Sequence, residues 1–590
     1  MHSALPTRSL TAHDTVPDWD ALIEGAFIVC VTDDPAPLHR INRIACSRAI
    51  PWLPIRFTNT AIRFGPTVLP SQGACFRCLE LRERAAAAVA LIPEVGNETD
   101  GGISPSHPPV LETGPGADAV PTLIALEILQ TLIGEPSRAR GRLGLFTDTT
   151  GEWTWHPVLR DPRCPDCGAL PWRSLNAGTA PLERFVDRET GIVPALLPVG
   201  LPEREPEPPH VFVAFHANTH AHDDWEALPL DKRIATGKGW TVEAARHSAL
   251  GEALERYCAT SPVPLETFRI ASHAALDVAA IGAEAFGLYS ARQYADGSVP
   301  YVPVTRETPL HWVAGHSLTH DCPVFVPASL VFMLPLDFVC QQTSSGLAAA
   351  STYVAAALHA LCEVIERDAF LLTWLTMRPV PLLDIHAVGV PVSRVVRHYA
   401  AGGVTLTAHD LTTTTGVPAV LVRAHDEYGT PPLDLFSLGC DADPLRAVER
   451  AVLEIVQERR ARWDVIAERG APAAIRSHTD HALWYALADR GDALAFLGAA
   501  SGPLPPHVGV TDDPAATLAA IVAALDRAGH EVVIVDITTP DVRTAGMVVV
   551  RAVVTGLLPL HFGVGQERLG SARLAEYPID SLNRAPHPLA

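Results

Sequence analysis

The chain has 590 residues, 48% of them hydrophobic and 19% charged, which suits a soluble globular protein of several domains with a sizeable core. Its formal net charge of −21, with no run of Lys or Arg, excludes a broad nucleic-acid-binding surface, because neutralising phosphates needs clustered cations. The start, "MHSALPTRSLTAHDTVPDWD", has no apolar core or cleavage site. The most apolar windows carry Glu127 and Arg551 and fall short of a membrane span, so a cytoplasmic location and no membrane partner are expected.

In chain order, "GAFIVCVTDD" reads as a buried strand and "LHRINRIACSRA" as a helix. "IPWLPIRFTNTAIRFGPTVLP" gives two short strands, and 93–116 is a Gly/Pro/Ser-rich loop. A helix is expected at about 118–134. The proline-punctuated 169–210 segment holds a domain boundary near 175–180, dividing the chain into 1–176 and 177–590, with "ETGIV" a strand of the second part. Long helices follow at about 241–259, 352–375 and 444–468, interleaved with the strands "VFVAFHA", "AVLVRAH", "EVVIVDI" and "MVVVRAVV". The expected fold class is therefore α/β and α+β.

"ACFRC" and "RCPDC" supply Cys75, Cys78, Cys164 and Cys167, and two Cys-x-x-Cys knuckles can present four thiolates to a tetrahedral zinc. Four thiolates close the coordination shell, so this zinc is structural. An odd count of eleven cysteines fits a reducing compartment better than a disulfide framework. The segments "FIVCVTDD", "IACSRAIPWLPI", "RFGPTVLPSQGACFRC" and "HPVLRDPRCPDCG" resemble the later half of the ThiF-like, ubiquitin-activating-enzyme-like fold, a Rossmann-like remnant. Nothing before Asp20 forms the glycine-rich turn that those enzymes use to adenylate, so the resemblance implies a docking or scaffolding domain.

In "HSALGEALERYC", Ser248, Glu252 and Glu255 share one helical stripe. In "LHALCEVIERDAF", His359, Glu363, Glu366 and Phe370 align. A third helix repeats the spacing with Glu454 and Gln457, followed by Arg459. Solvated Glu–Arg faces, worth about 0.2–0.5 kcal/mol per pair, are the bland explanation. The second helix is apolar nearly all round and should be buried, where paired carboxylates need cations or a metal to stay charged. Glutamates converging there would suit Mg²⁺, leaving arginines for phosphates. "ATGKGW" lacks the upstream glycine and the following Ser or Thr of a Walker loop, yet Lys238 is placed to reach a phosphate.

Residues 180–590 resemble the YcaO family through "GKGWTVEAARHSALGEALERY", "TSSGLAAASTYVAAALHALCEVIERDAF", "GCDADPLRAVERAVLEIVQERRARW" and "VTGLLPLHFGVGQERLG". The resemblance implies that Lys238, Ser248, Glu252, Glu255, Arg256, Glu363, Glu366, Arg367, Gln457 and Arg459 line an ATP/Mg²⁺ site. Glu252, Glu255, Glu363 and Glu366 are the implied catalytic and magnesium carboxylates. Family members often read Ser-Asn-Gly where this chain has Ser344-Ser345-Gly346, and many end Pro-x-Pro-x-Pro where it ends "PHPLA". The family's C-terminus approaches the active site, so the altered ending bears on tuning.

A YcaO domain behind a zinc-bearing ThiF-like domain resembles the azoline-forming cyclodehydratases of ribosomal peptide natural-product pathways, including the thiopeptide type. The implied substrate is a precursor peptide whose Cys, or Ser/Thr, is cyclised at the expense of ATP. With only about 20 residues before the first strand there is no room for a winged-helix module, so a separate leader-peptide-binding partner is expected. A homodimer is expected too, and a flavin-dependent azoline dehydrogenase is a candidate later partner. The alternatives are a thioamide- or amidine-forming enzyme, or a scaffold with a vestigial nucleotide site. "HANTHAHDD", with His216, His220, His222, Asp223 and Asp224, reads as a solvated loop, and Cys258, Cys340, Cys362 and Cys440 as core residues.

Overall fold

The computed structural model describes residues 27–58, 61–87, 115–147, 151–171, 182–220, 232–261 and 267–589. Most of the 93–116 loop, the boundary near 175–180, and His222, Asp223 and Asp224 lie outside them. The chain divides into two compact units: Met1–Ala177 with Glu189–Gly191, and Gly178–Arg188 with Ile192–Ala590.

The smaller unit carries a five-stranded sheet in the order Ile28–Val31, Trp52–Phe57, Ala61–Phe64, Arg142–Thr147, Trp153–Pro157. Only the first pair is parallel, and the helix Pro35–Arg48 connects it. That helix starts where the Asp34 carboxylate accepts the Ala36 N–H at 2.9 Å and Pro35 pre-sets the first turn. On the Pro115–Leu132 helix, buried Glu127 accepts from the Thr67 hydroxyl at 2.7 Å and the Ala139 N–H at 2.8 Å. "ETGIV" does not form the expected strand: only Val193 makes an isolated bridge, to Val186, and Glu189–Gly191 pack with the smaller unit.

In the larger unit, Ala195–Pro198, His210–Phe215 and Ile234–Gly239 form an antiparallel three-stranded sheet. A six-stranded sheet runs Cys322–Pro327, Pro309–Ser317, Val532–Asp536, Val548–Val554, Leu347–Ala350, with Arg269–Ser272 also on Pro309–Ser317. A second five-stranded sheet runs Asp434–Cys440, Ala419–Asp426, Val404–Asp410, Val380–Leu383, Leu497–Ser501. The class is mixed α/β as expected, with antiparallel pairing dominant.

The three long helices form at Val242–Thr260, Tyr353–Thr376 and Pro444–Arg469, each capped by its own sequence. Thr241 accepts from Ala244 N–H, Thr352 from Ala355 N–H, and Asp443 from Leu445 N–H ahead of Pro444. One apolar cluster surrounds Tyr353–Thr376, including Leu361, Ile365 and Phe370; another packs Ala447, Val448 and Ile455 against Val420 and Val422. Cys258, Cys340, Cys362 and Cys440 are buried, as expected of core residues.

"ATGKG" finds its explanation here. Ala235, Gly237 and Gly239 are buried while Ile234, Thr236 and Lys238 alternate with them. A Cβ on Gly237 would lie 2.0 Å from the Ala249 nitrogen, and one on Gly239 2.6 Å from that of Ala245. The glycines let this strand lie directly on the Val242–Thr260 helix.

Candidate functional site

That close approach brings Thr236 and Lys238 beside the glutamates. Glu252 accepts the Thr236 N–H at 3.0 Å through one oxygen and receives Arg256 through the other, at 3.1 and 2.8 Å. Glu255 accepts the Ala349 N–H at 2.8 Å, tying the helix to the strand Leu347–Ala350. Arg367 stands 3.8 Å from Glu363 and 3.3 Å from Glu366. Lys238 donates to Glu454 at 3.0 Å, and the Gln457 amide donates to the Thr236 hydroxyl at 2.9 Å.

The electrostatics follow from this crowding. Burial, with Glu252 and Glu363 nearby, holds the Glu255 carboxyl well above its ordinary range. Burial raises Glu363 as well, with Arg367 and Arg551 opposing. Burial pushes Glu366 up to about 7 against the pull of Arg367, with Glu454 and Glu363 adding to the rise. Burial works against ionised Glu454 too, but Lys238 and Arg367 outweigh it and its pKa falls. Burial would also discharge Lys238, Arg256 and Arg367, yet the neighbouring carboxylates raise all of them. Glu252 and Glu363 nevertheless keep 30% and 27% of their side-chain surface open, so they line a recess rather than sit in a core. Carboxyl groups outnumber cations there, and their raised pKa values favour a divalent cation arriving with a phosphate chain.

The glutamates do not make a ready metal cage. Among the described residues only the cysteines bring three or more ligand atoms within 4.8 Å of one another. Glu252, Glu255, Glu363 and Glu366, expected to converge, do not bring three carboxylate oxygens within 4.8 Å of one another. Mg²⁺ favours such a setting, since it keeps waters and takes one or two carboxylates beside phosphate oxygens.

Arg459 is not brought to the recess. It is buried on another face of its helix, pairs with Glu205 at 3.0 Å and stacks over Tyr399 at 5.1 Å. Gln457 and Arg459 are two residues apart, about 200° around a helix, so they cannot share a face. Glu454, one turn before Gln457, takes the place instead. Ser248 lies exposed one turn before Glu252, on the same stripe. Asp368 is fully buried and structural: it accepts the Leu558 N–H at 3.0 Å and binds Arg573 at 2.8 Å. His216 and His220 are buried, not solvated, and burial lowers His216 to about 4. Arg551 was missed; its signal was a lone cation inside the apolar run "VVVRAVV".

The C-terminal segment docks nearby. Trp374 donates to the Ala585 carbonyl at 3.1 Å, Tyr485 to that of Pro586 at 2.6 Å, and His587 Nε2 to that of His561 at 2.6 Å. Burial holds the His587 ring neutral, with Arg367 among the cations that lower its pKa.

In the smaller unit, Cys75 Sγ lies 3.8 Å from Cys78 Sγ and 3.5 Å from Cys164 Sγ, and Cys78 Sγ 3.3 Å from Cys167 Sγ. A tetrahedral zinc with Zn–S near 2.3 Å needs S···S separations of about 3.8 Å. Asn42 Nδ2 at 3.4 Å from Cys75 and the Asp161 N–H at 3.3 Å from Cys78 are donors of the kind that steady thiolates. The set fits a metal ion.

A family model described as YcaO cyclodehydratase, ATP- and Mg²⁺-binding, matches residues 236–558, more than half of the chain. An uncharacterised protein of Methanothermobacter thermautotrophicus is 33% identical over 236 residues, 38% of this chain; the chain spans 57% of that relative's length. Among solved structures, one described as a heterocyclase in complex with substrate and cofactor aligns with 96% of this chain and 81% of its own, at TM-score 0.73 and 23% identity. The heterocyclase TruD aligns with 95% of this chain and 79% of its own, at TM-score 0.65 and 22% identity. These likenesses establish the fold. No described helix is long and apolar enough to cross a membrane.

Proposed function

The chain belongs to the YcaO family, and from that premise we propose that it is an ATP- and Mg²⁺-dependent peptide cyclodehydratase. In this reading a Cys thiol, or a Ser/Thr hydroxyl, of a ribosomally made peptide adds to the preceding amide carbonyl. The resulting oxyanion attacks the γ-phosphate of ATP and ADP leaves. Expulsion of phosphate then forms the C=N bond, giving a thiazoline or oxazoline with net loss of water. Glutamates of the recess would hold Mg²⁺, which would supply countercharge to the phosphates. Lys238 and Arg367, paired with Glu454 and Glu366, would orient and neutralise the phosphate chain. The observation that carries the reading is the excess of carboxyl groups around those cations, Glu252 and Glu363 partly open and Glu255 and Glu366 desolvated.

The same reading makes Cys75, Cys78, Cys164 and Cys167 a structural zinc site, and the smaller unit a ThiF-like platform for a separate leader-peptide-binding partner. It also takes the working form to be a homodimer, in a pathway of the thiopeptide or a related class. The test mixes the protein with a precursor peptide, candidate partner and Mg·ATP, and measures by mass the loss of one water per ring together with phosphate release. Ring formation without ATP consumption, or no mass loss with the cognate peptide, overturns it.

A further inference from the structure

Arg367 also lines a second recess, of about 600 Å³ counted with its open mouth. Its wall includes the apolar side chains of Phe286, Leu330, Phe332 and Val364, and among the described residues no acidic one lines it. Ser329 Oγ, Arg367 Nε and Arg551 Nε, all of residues that line it, are buried without a hydrogen-bond partner. Ser329 is 2% exposed and Arg551 8%, and among the described residues the guanidinium of Arg551 donates one hydrogen bond, to the Thr343 carbonyl at 2.9 Å. Burial lowers Arg551 to about 10, with Glu363 opposing, so it remains a cation at neutral pH. A desolvated donor left unpaired costs about 1–3 kcal/mol, so these atoms mark a place prepared for acceptor oxygens beside an apolar surface.

We propose that this recess binds the reacting segment of the peptide substrate, with Arg551 and Ser329 donating to main-chain carbonyls and the apolar wall receiving the side chain of the residue whose carbonyl is activated. The inference rests on the cyclodehydratase reading. That chemistry requires an amide oxygen beside a γ-phosphate, and Arg367 belongs to both spaces: it pairs with Glu363 and Glu366 in one and lines the other. A magnesium triphosphate seeks carboxylates, which this recess lacks. Adenine is the competing occupant, since an apolar wall would also suit a base.

The full-length protein is incubated with N-acetyl-Ala-photoleucine-Cys-Ala-amide, with and without a non-hydrolysable Mg·ATP analogue. Irradiation and peptide mapping locate the label. Label on Leu330, Phe332 or Val364 is expected. Leu330→Trp, which fills the recess, should cut labelling by ~10-fold while changing analogue affinity less than about twofold. Ser329→Ala is the milder companion and should weaken labelling in the same direction. No label, label elsewhere, or labelling of this wall by 8-azido-ATP overturns the proposal. Failure of the wild-type protein to bind the Mg·ATP analogue instead strikes the nucleotide reading itself, so the two failures are distinguishable.

Discussion

Lys238 and Glu454 stand 216 residues apart in sequence and 3.0 Å apart in space, joined by an ion pair at the rim of the carboxylate recess. The pair links the strand that lies on one long helix to another long helix, so the carboxylate recess and the packing of the larger unit depend on each other. Lys238→Met should weaken Mg·ATP-analogue affinity by ~10-fold or more, because Glu454 is then left without its nearest cation. Glu454→Gln in the same background should recover part of that loss, and isothermal titration across the cycle measures the coupling.

Glu366 should make the ligand-free protein sensitive to alkaline pH. Burial raises its folded pKa to about 7, above the ordinary carboxyl value. The folded state therefore binds more protons than the unfolded one between about pH 4.5 and 7, and stability falls as pH rises through that window. Glu366→Gln should raise stability at pH 8 by on the order of 2 kcal/mol and leave it nearly unchanged at pH 4.5. Thermal unfolding at both values checks the sign. The same variant should lose turnover while its metal content stays intact.

Gly237→Ala should be among the costliest single-methyl changes in the larger unit. The added Cβ meets backbone at 2.0 Å, which only separation of strand and helix relieves. A loss of about 2 kcal/mol or more is expected, with nucleotide affinity falling alongside because Thr236 and Lys238 move with the strand. An unchanged melting temperature would contradict the close contact.

Acid should loosen the C-terminal segment. Burial keeps His561 and His587 neutral, His561 down to about 3, whereas a free imidazole titrates near 6.5. Their stabilising contribution is present above about pH 6.5 and is lost progressively as pH falls toward the folded values. Protection factors of the Ala585, His587 and Leu589 amides, taken relative to the intrinsic exchange rate at each pH, should fall between pH 7 and 5, ahead of those of the Tyr353–Thr376 helix. Equal protection at both pH values would refute the pinning role.

Cys164→Ser should abolish stoichiometric zinc binding and lower the unfolding temperature of the smaller unit. Metal analysis and calorimetry on the intact chain read both. A metal-free wild-type protein of undiminished stability would remove the structural ion from the account.

The long helices were legible because their signals are local: apolar residues recur at helical spacing through Val242–Thr260, Tyr353–Thr376 and Pro444–Arg469. The carboxylate stripes at Glu252/Glu255 and Glu363/Glu366 were legible for the same reason, since helical spacing alone assigns residues to a face. The cysteine knuckles needed only their short spacing. What lies opposite each face was decided by the tertiary structure. Periodicity could not say that Glu454 rather than Arg459 meets Lys238, that Asp368 turns away to Arg573, or that Arg459 is claimed by Glu205. Nor could it show that Arg551, a single charge in a valine-rich strand, lines the recess it shares with Arg367. A helix or strand period fixes direction around one axis. Which distant charge waits there depends on how separate elements pack, and here two glycines within a strand let it lie on its helix.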